Sequence, residues 1–368
     1  MAMEGMAEGG WIAAHVPGEG ALTLDARPFP ALAGRGTLML EFTTGTDFAG
    51  PMRLIHLATR APEPRLLSLA ITPERRIEVV QLQGAAFHAL SIDASAELAA
   101  GGRMRLSWRW DMAGRQSLLT LETLDTGTLR QNAGADPLPL PRNDLEALAT
   151  GTGAARIGPQ VDWLAIGDHL QPVGPAGCFA PATQIETPQG PRPANLIRAG
   201  DLVETVDAGA QPVLWSGRVS LPALGALRPV RLCAPAYGRT RDLWLLPQHR
   251  IAVAGPVVQS LFASEEVLVE CRHLLDGRSA QQPDRPAALT WQGILLQDHH
   301  LLVADGCRIE SLGLGQLARS TALAMTTALA GLATTGCLPV HGTPARPILS
   351  DHDARRLAAA RDRGSRAA

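Results

Sequence analysis

In this 368-residue chain the stretch that could do chemistry is Gly177-Cys178-Phe179-Ala180-Pro181-Ala182-Thr183. It lies where one kind of sequence stops and another begins. A loop, Gln171-Pro172-Val173-Gly174-Pro175-Ala176, leads into it, and a short strand and turn from Gln184 to Gly190 lead away. A packing cysteine usually sits inside an apolar run. A thiol at a boundary is placed where a self-cleaving module needs its nucleophile. Thiols also ionise nearer neutral pH than hydroxyls do. Gly177, with no Cβ, permits close approach and unusual backbone angles.

The pattern C-F-A-P-x-T-x-I-x-T-x-x-G from Cys178, followed by Ala199-Gly200-Asp201-Leu202-Val203, resembles the opening of a Hint domain. Hedgehog autoprocessing domains and inteins share that fold, and this chain is most similar to the bacterial intein-like group. The similarity runs on through Leu246-Pro247-Gln248-His249-Arg250, Glu266-Val267-Leu268-Val269 and His273-Leu274-Leu275-Asp276-Gly277. It includes His299 to Gly306, Glu310-Ser311-Leu312 and the tail Ala345-Arg346-Pro347-Ile348-Leu349.

The resemblance implies a first step in which the Cys178 thiol attacks the carbonyl of Gly177 and turns an amide into a thioester. It also implies a histidine that protonates the leaving nitrogen. His249 aligns with the family's T-x-x-H or S-x-x-H block. His300, six residues before Gly306, and its neighbour His299 are second candidates, with Asp298 able to orient a ring. The expected catalytic set is therefore Cys178, His249 and His300, cutting between Gly177 and Cys178.

Two departures bear on the outcome. Leu246 stands where the family has a hydroxyl. Glu310 and Ser311 stand where splicing inteins have His-Asn, so cleavage without splicing is expected. Gly217 or a neighbour occupies the Hedgehog sterol-activating position.

The elements that must position these groups read as mainly β. From Thr37, apolar and polar residues alternate, the mark of half-buried strands. The pattern recurs at Met52–Ala58, Arg65–Thr72, Ile77–Gln83, Phe87–Ile92, Met104–Trp110, Ser117–Leu124 and Val161–Ile166. Met104, Leu106, Trp108 and Trp110 share one face, and Arg103, Arg105, Ser107 and Arg109 the other. Turn signals separate the runs, as in an antiparallel β-sandwich. The pattern resembles concanavalin A-like lectins and laminin G-like domains.

Residues Arg130 to Gly158, rich in turn formers, read as a long loop. Asp111, Asp125, Asp136 and Asp144 read as turn formers before loop ligands. Beyond Cys178 short strands are expected at Ile185–Thr187, Leu202–Thr205, Val213–Gly217, Val230–Cys233, Leu243–Leu245, Arg250–Ala254, Val267–Val269 and Leu301–Ala304. Helix formers follow at Leu314–Ala333 and Asp351–Ala360, with a cap region at Asp351-His352-Asp353 and a frayed end from Arg361. The expected division is sandwich 1–170, linker 171–177, Hint domain 178–315 and helical tail 316–368.

Composition narrows the partners. All 33 basic residues are arginine, net charge is −2, and no basic run occurs, which argues against nucleic acid. Five cysteines with no CxxC pair argue against a zinc site or a disulfide scaffold. No cofactor is expected, and Cys233, Cys271, Cys307 and Cys337 read as packing residues. The start lacks a cleavable signal peptide, leaving cytoplasmic placement or export by a signal-independent route. No run is apolar enough to span a membrane, and Thr321 to Val340 reads as a helix packed on the domain.

The expected partners are the chain's own N-terminal domain, as substrate, and a small nucleophile or a glycan. Two rival readings remain: a degenerate Hint scaffold on a carbohydrate-binding or adhesion protein, and a trans-acting cysteine hydrolase.

Overall fold

A computed structural model describes residues 9–46, 48, 50–60, 63–174, 178–284 and 287–367. Gly177, on the acyl side of the expected cut, lies outside the described residues. The chain divides into two compact units, residues 1–171 with 286–288, and residues 172–285 with 289–368. The helical tail thus belongs to the same unit as Cys178.

The first unit is an antiparallel sandwich. Its seven-stranded sheet runs Thr128–Ala135, Gln116–Thr123, Gly102–Asp111, Arg35–Thr44, Val161–Gly167, Trp11–Val16, Gly20–Thr23. Its five-stranded sheet runs Ala155–Ile157, Met52–Thr59, Arg65–Ile71, Arg76–Gln83, Ala86–Asp93. The alternation from Thr37 explains the layering. Leu38, Leu40 and Phe42, with Met104, Leu106, Trp108 and Trp110, bury one face against Leu67, Leu69, Ile77 and Val79 of the second sheet. Trp108 and Trp110 stack at 4.8 Å. Their buried indole N–H groups are satisfied by Ser117 Oγ at 2.9 Å and Ala33 O at 3.0 Å.

The polar alternates follow from register. Arg105 stands opposite Glu41 on one neighbouring strand and Glu122 on the other. Its guanidinium meets Glu41 Oε1 and Glu122 Oε2, each at 2.7 Å, while Trp163 Nε1 donates to Glu41 Oε2 at 3.0 Å. Arg109 Nη1 donates to the carbonyl of Gln171, where the chain leaves this unit.

The segment expected as a loop is largely ordered structure. Thr128–Ala135 is a strand, and Arg142–Thr150 is a helix that starts after Pro141 and ends at Gly151 in the left-handed region. Leu145 and Leu148 are buried, and Asp144 pairs with Arg65 at 2.8 Å. Tertiary burial of one short apolar face outweighed the local turn composition. Asp136 pairs with Arg115.

The second unit is a set of short antiparallel strands. Its main sheet runs Arg192–Pro193, Gln184–Ile185, Leu301–Ala304, Cys307–Glu310, Arg250–Ala254, Glu266–Glu270. Val230–Leu232 joins Leu243–Leu245 and Ala280–Gln281, and Trp215–Pro222 pairs with Ala288–Leu295. Of the run expected at Val213–Gly217, Val213 and Leu214 lie between strands, and Trp215 to Gly217 open the strand Trp215–Pro222.

The region expected to be one helix is broken into Gly315–Arg319, Thr321–Ala324 and Ala330–Thr334. Ser320 Oγ caps the second piece, and threonine hydroxyls bond back to carbonyls along it, an alternative to helix propagation. The last helix is Asp351–Ala367, longer than expected. Its cap is Ser350 and not the expected Asp351-His352-Asp353, because Ser350 Oγ accepts from Asp353 N. No helix among the described residues is long and apolar enough to cross a membrane.

Candidate active site

Cys178 is fixed by backbone. Its N–H donates to Gln292 O at 2.7 Å; Phe179 N and O pair with the same residue; Ala180 N donates to Trp244 O. Phe179 thereby bridges the Leu243–Leu245 and Ala288–Leu295 strands, with its ring fully buried. Cys178 itself is 5% exposed. Burial pushes its thiol pKa well up, and the negative charge of Glu310 adds to the shift. The resting thiol is therefore protonated.

His249 reaches the same place through a turn. Its N–H donates to Leu246 O at 3.0 Å, with Pro247 at the second turn position, where its fixed φ suits the bend. Cys271 N donates to His249 O, and Arg272 N to Pro247 O, which pins the turn to the following segment. Leu246 N in turn approaches Cys178 O at 3.4 Å. Leu246 thus touches the cysteine by its backbone, and its buried side chain brings no hydroxyl. The His249 ring packs edge-on to Phe179 at 6.2 Å. Burial pushes its pKa down to about 4, against a smaller upward pull from Glu310, so the ring is neutral at neutral pH.

Glu310 is the residue that sequence reasoning missed. In the sequence it stands only within a block that resembles the Hint family and in place of histidine in a splicing pair. Its carboxylate accepts from Arg250 N at 3.0 Å, from Arg250 Nη1 at 3.2 Å and from His299 Nε2 at 3.2 Å. Burial opposes its charge, but these partners, His299 first, hold its pKa below the usual value. Its Oε1 lies 3.9 Å from His249 Nδ1. An ionised carboxylate on that side favours the Nδ1–H tautomer. Nε2 of His249 is then a lone pair, buried and with no partner among the described residues. The signal that could have found Glu310 is its spacing: it ends the strand that pairs with Leu301–Ala304, beside both histidines.

The structure brings Cys178, His249, Glu310 and His299 together. His300 differs from its neighbour. Its N–H donates to Ser311 Oγ and its carbonyl accepts from Ser311 N. His299 is the one of the pair whose ring meets Glu310.

Of the remaining cysteines, Cys271 and Cys307 are buried, Cys233 is half-buried and Cys337 is exposed, which corrects the packing role expected for Cys337. All five are free thiols. Among the described residues one trio has metal-ligand types, Glu270, His273 and Asp351. Arg272 already bridges its two carboxylates at 2.6 and 2.9 Å, placing a positive charge where a cation would sit.

Residues 177–316 match the Hint domain family model. The second unit therefore carries a Hint-type fold. No curated protein matches the chain in sequence. Among solved structures, it is similar to the gp41-1 intein at 14% identity, covering 37% of this chain and 98% of that one, with a TM-score of 0.24. It is similar to a bacterial intein-like domain from Clostridium thermocellum at 15% identity, covering 38% and 100%, with a TM-score of 0.25. It is also similar to the CBM40 module of a Ruminococcus gnavus IT-sialidase at 16% identity, covering 36% and 76%, with a TM-score of 0.27.

Proposed function

We propose that the second unit cleaves its own chain between Gly177 and Cys178 by an N-to-S acyl shift, releasing the sandwich. The observation that carries this reading is a buried neutral imidazole with an unpartnered Nε2, anchored to Cys178 through Leu246. Because the thiol is protonated and the ring neutral, His249 acts first as a base and then as an acid. Nε2 takes the thiol proton, and sulfur bonds to the Gly177 carbonyl carbon. The bond from that carbon to Cys178 N breaks, and the nitrogen takes the same proton. Glu310 stabilises the imidazolium between the two transfers. The Gln292 carbonyl, already bonded to Cys178 N, keeps the departing amine in place. Water or an added thiol then resolves the thioester.

With Glu310-Ser311 at the end of the strand, there is no asparagine to cyclise, so the reaction ends in cleavage and not splicing. Intact mass spectrometry of the purified chain, with and without dithiothreitol, tests the reading. The expected products are residues 1–177 and a fragment beginning at Cys178. Persistence of the cut in Cys178→Ala, or a cut at another bond, would overturn it. A degenerate scaffold is the second reading, favoured by Leu246 in place of a hydroxyl and by the depth at which the thiol is buried.

A further inference from the structure

The histidine that faces Glu310 is itself held from outside the Hint-matched residues. Ala345 N–H donates to His299 Nδ1 at 3.2 Å. A ring nitrogen that accepts from a backbone N–H carries no proton, so the His299 proton sits on Nε2, where it is donated to Glu310 Oε2. Glu310 Oε1 is the oxygen nearest His249 Nδ1. One line of contacts thus runs from Ala345 to the imidazole that serves Cys178.

Ala345 is placed by a strap of chain laid on the edge of the sheet. Leu268 N donates to Pro347 O at 2.8 Å, and Leu349 N donates to Leu268 O at 3.0 Å. Arg346 next door binds Glu266 Oε2 and both oxygens of Asp207, each at 2.8 Å. The strap is therefore anchored just after the residue that bonds His299, and before it His341 Nε2 meets Leu296 O at 3.2 Å.

We propose that residues 341–349 complete the active site, with Ala345 N–H and His299 acting as positioning groups that set the tautomer and placement of His249 through Glu310. This rests on the self-cleavage reading above. Its consequence is regulatory: a chain still lacking the strap, during synthesis or after truncation, has its nucleophile and base but not their alignment. The other groups facing this line are Arg250, bonded to Glu310, His341, whose ring is 6.1 Å from that of His299, and Asp298, whose charge reaches His341.

The test uses the full chain. Ala345→Pro removes the N–H and also fixes φ at this position. It should slow first-order cleavage about tenfold or more, and should move the acid limb of the pH–rate profile to lower pH, because the upward pull of Glu310 on the buried His249 ring weakens. Its melting temperature should stay within about a degree or two of the parent. An unchanged rate and limb, or an equal fall at every pH, would overturn the proposal.

If Ala345→Pro does not fold, His299→Gln and His299→Phe are compared. Glutamine can donate to Glu310 and accept from Ala345, so it should keep most of the rate, and phenylalanine should not; equal rates overturn the proposal. A second readout stands apart from cleavage. In Cys178→Ala, Ala345→Pro should move the ring 15N shifts of both His299 and His249. Unmoved His249 shifts would sink the relay, whereas moved shifts together with a parent chain that never cleaves would fault the self-cleavage reading alone.

Discussion

Nδ1 of His249 lies 3.9 Å from Oε1 of Glu310, both side chains being almost wholly buried. That separation is too long for a hydrogen bond and short enough to matter in a dry site. A charge pair there interacts far more strongly than the same pair in water. The carboxylate costs little while the ring is neutral, and it stabilises the ring once a proton has arrived.

Replacing His249 with alanine should slow cleavage by about two orders of magnitude or more, the scale of losing a general base and acid. The time course of fragment release by intact mass is the measurement. Normal rates in His249→Ala would remove it from the mechanism.

Glu310→Gln keeps the size of the side chain and removes its charge. The imidazolium formed during the reaction then lacks its counter-charge, and a fall of about tenfold or more is expected. The loss should not be recovered by added dithiothreitol, because the thiol acts after the acyl shift.

The pH dependence follows from His249 and Cys178. The ring titrates at about 4, and burial lifts the thiol. Between those limits the thiol keeps its proton and the ring stays free to receive it. Cleavage should therefore be flat from about pH 5 to 8, where an exposed cysteine–histidine pair would slope near pH 6.5. A bell or slope centred near 6.5 contradicts the burial argument.

Stability responds to the same group. The unfolded ring takes a proton near pH 6.5, the folded ring only near 4. Between them the unfolded chain binds more protons, so acid favours unfolding. Stability is full above pH 6.5 and falls as pH drops to about 4, by at most about 3 kcal/mol. Glu310, with its pKa lowered, adds a loss of the same sign at lower pH. His249→Phe should flatten the upper part of the curve in urea titrations followed by pH.

Leu246→Thr restores a hydroxyl beside the scissile region. One hydrogen bond aimed at a strained, developing charge is worth about 2–4 kcal/mol, or about two to three decades of rate. Leu246 is buried, so the exchange also removes apolar contact and should lower the melting temperature. A folded variant that cleaves no faster would mean that the hydroxyl is not limiting.

Much of this was legible in the residues. The period-two run of Met104 to Trp110 identified a strand with its core face, because alternation is a local consequence of the pleat. Cys178 and His249 stood out through spacing and boundary. Glu310 did not, since its surroundings come from Arg250 on one strand and His299 in the loop before another, contacts that no local pattern carries. The helix at Arg142–Thr150 was hidden for a similar reason: Leu145 and Leu148 mark it only once the sandwich offers somewhere to bury them. Which of His299 and His300 faces Glu310 depends on how the turn before the Leu301–Ala304 strand is laid, which no local pattern carries.

The contacts of Leu268 with Pro347 and Leu349 have a bearing on solubility. Leu268 lies on the outermost strand of the main sheet, and the strap covers part of that rim. A chain ending before Pro347 leaves the N–H and C=O of Leu268 bare in the apolar run Val267-Leu268-Val269, an edge of the kind that recruits strands from other molecules. Such a fragment should sediment as polymers, with turbidity rising with protein concentration.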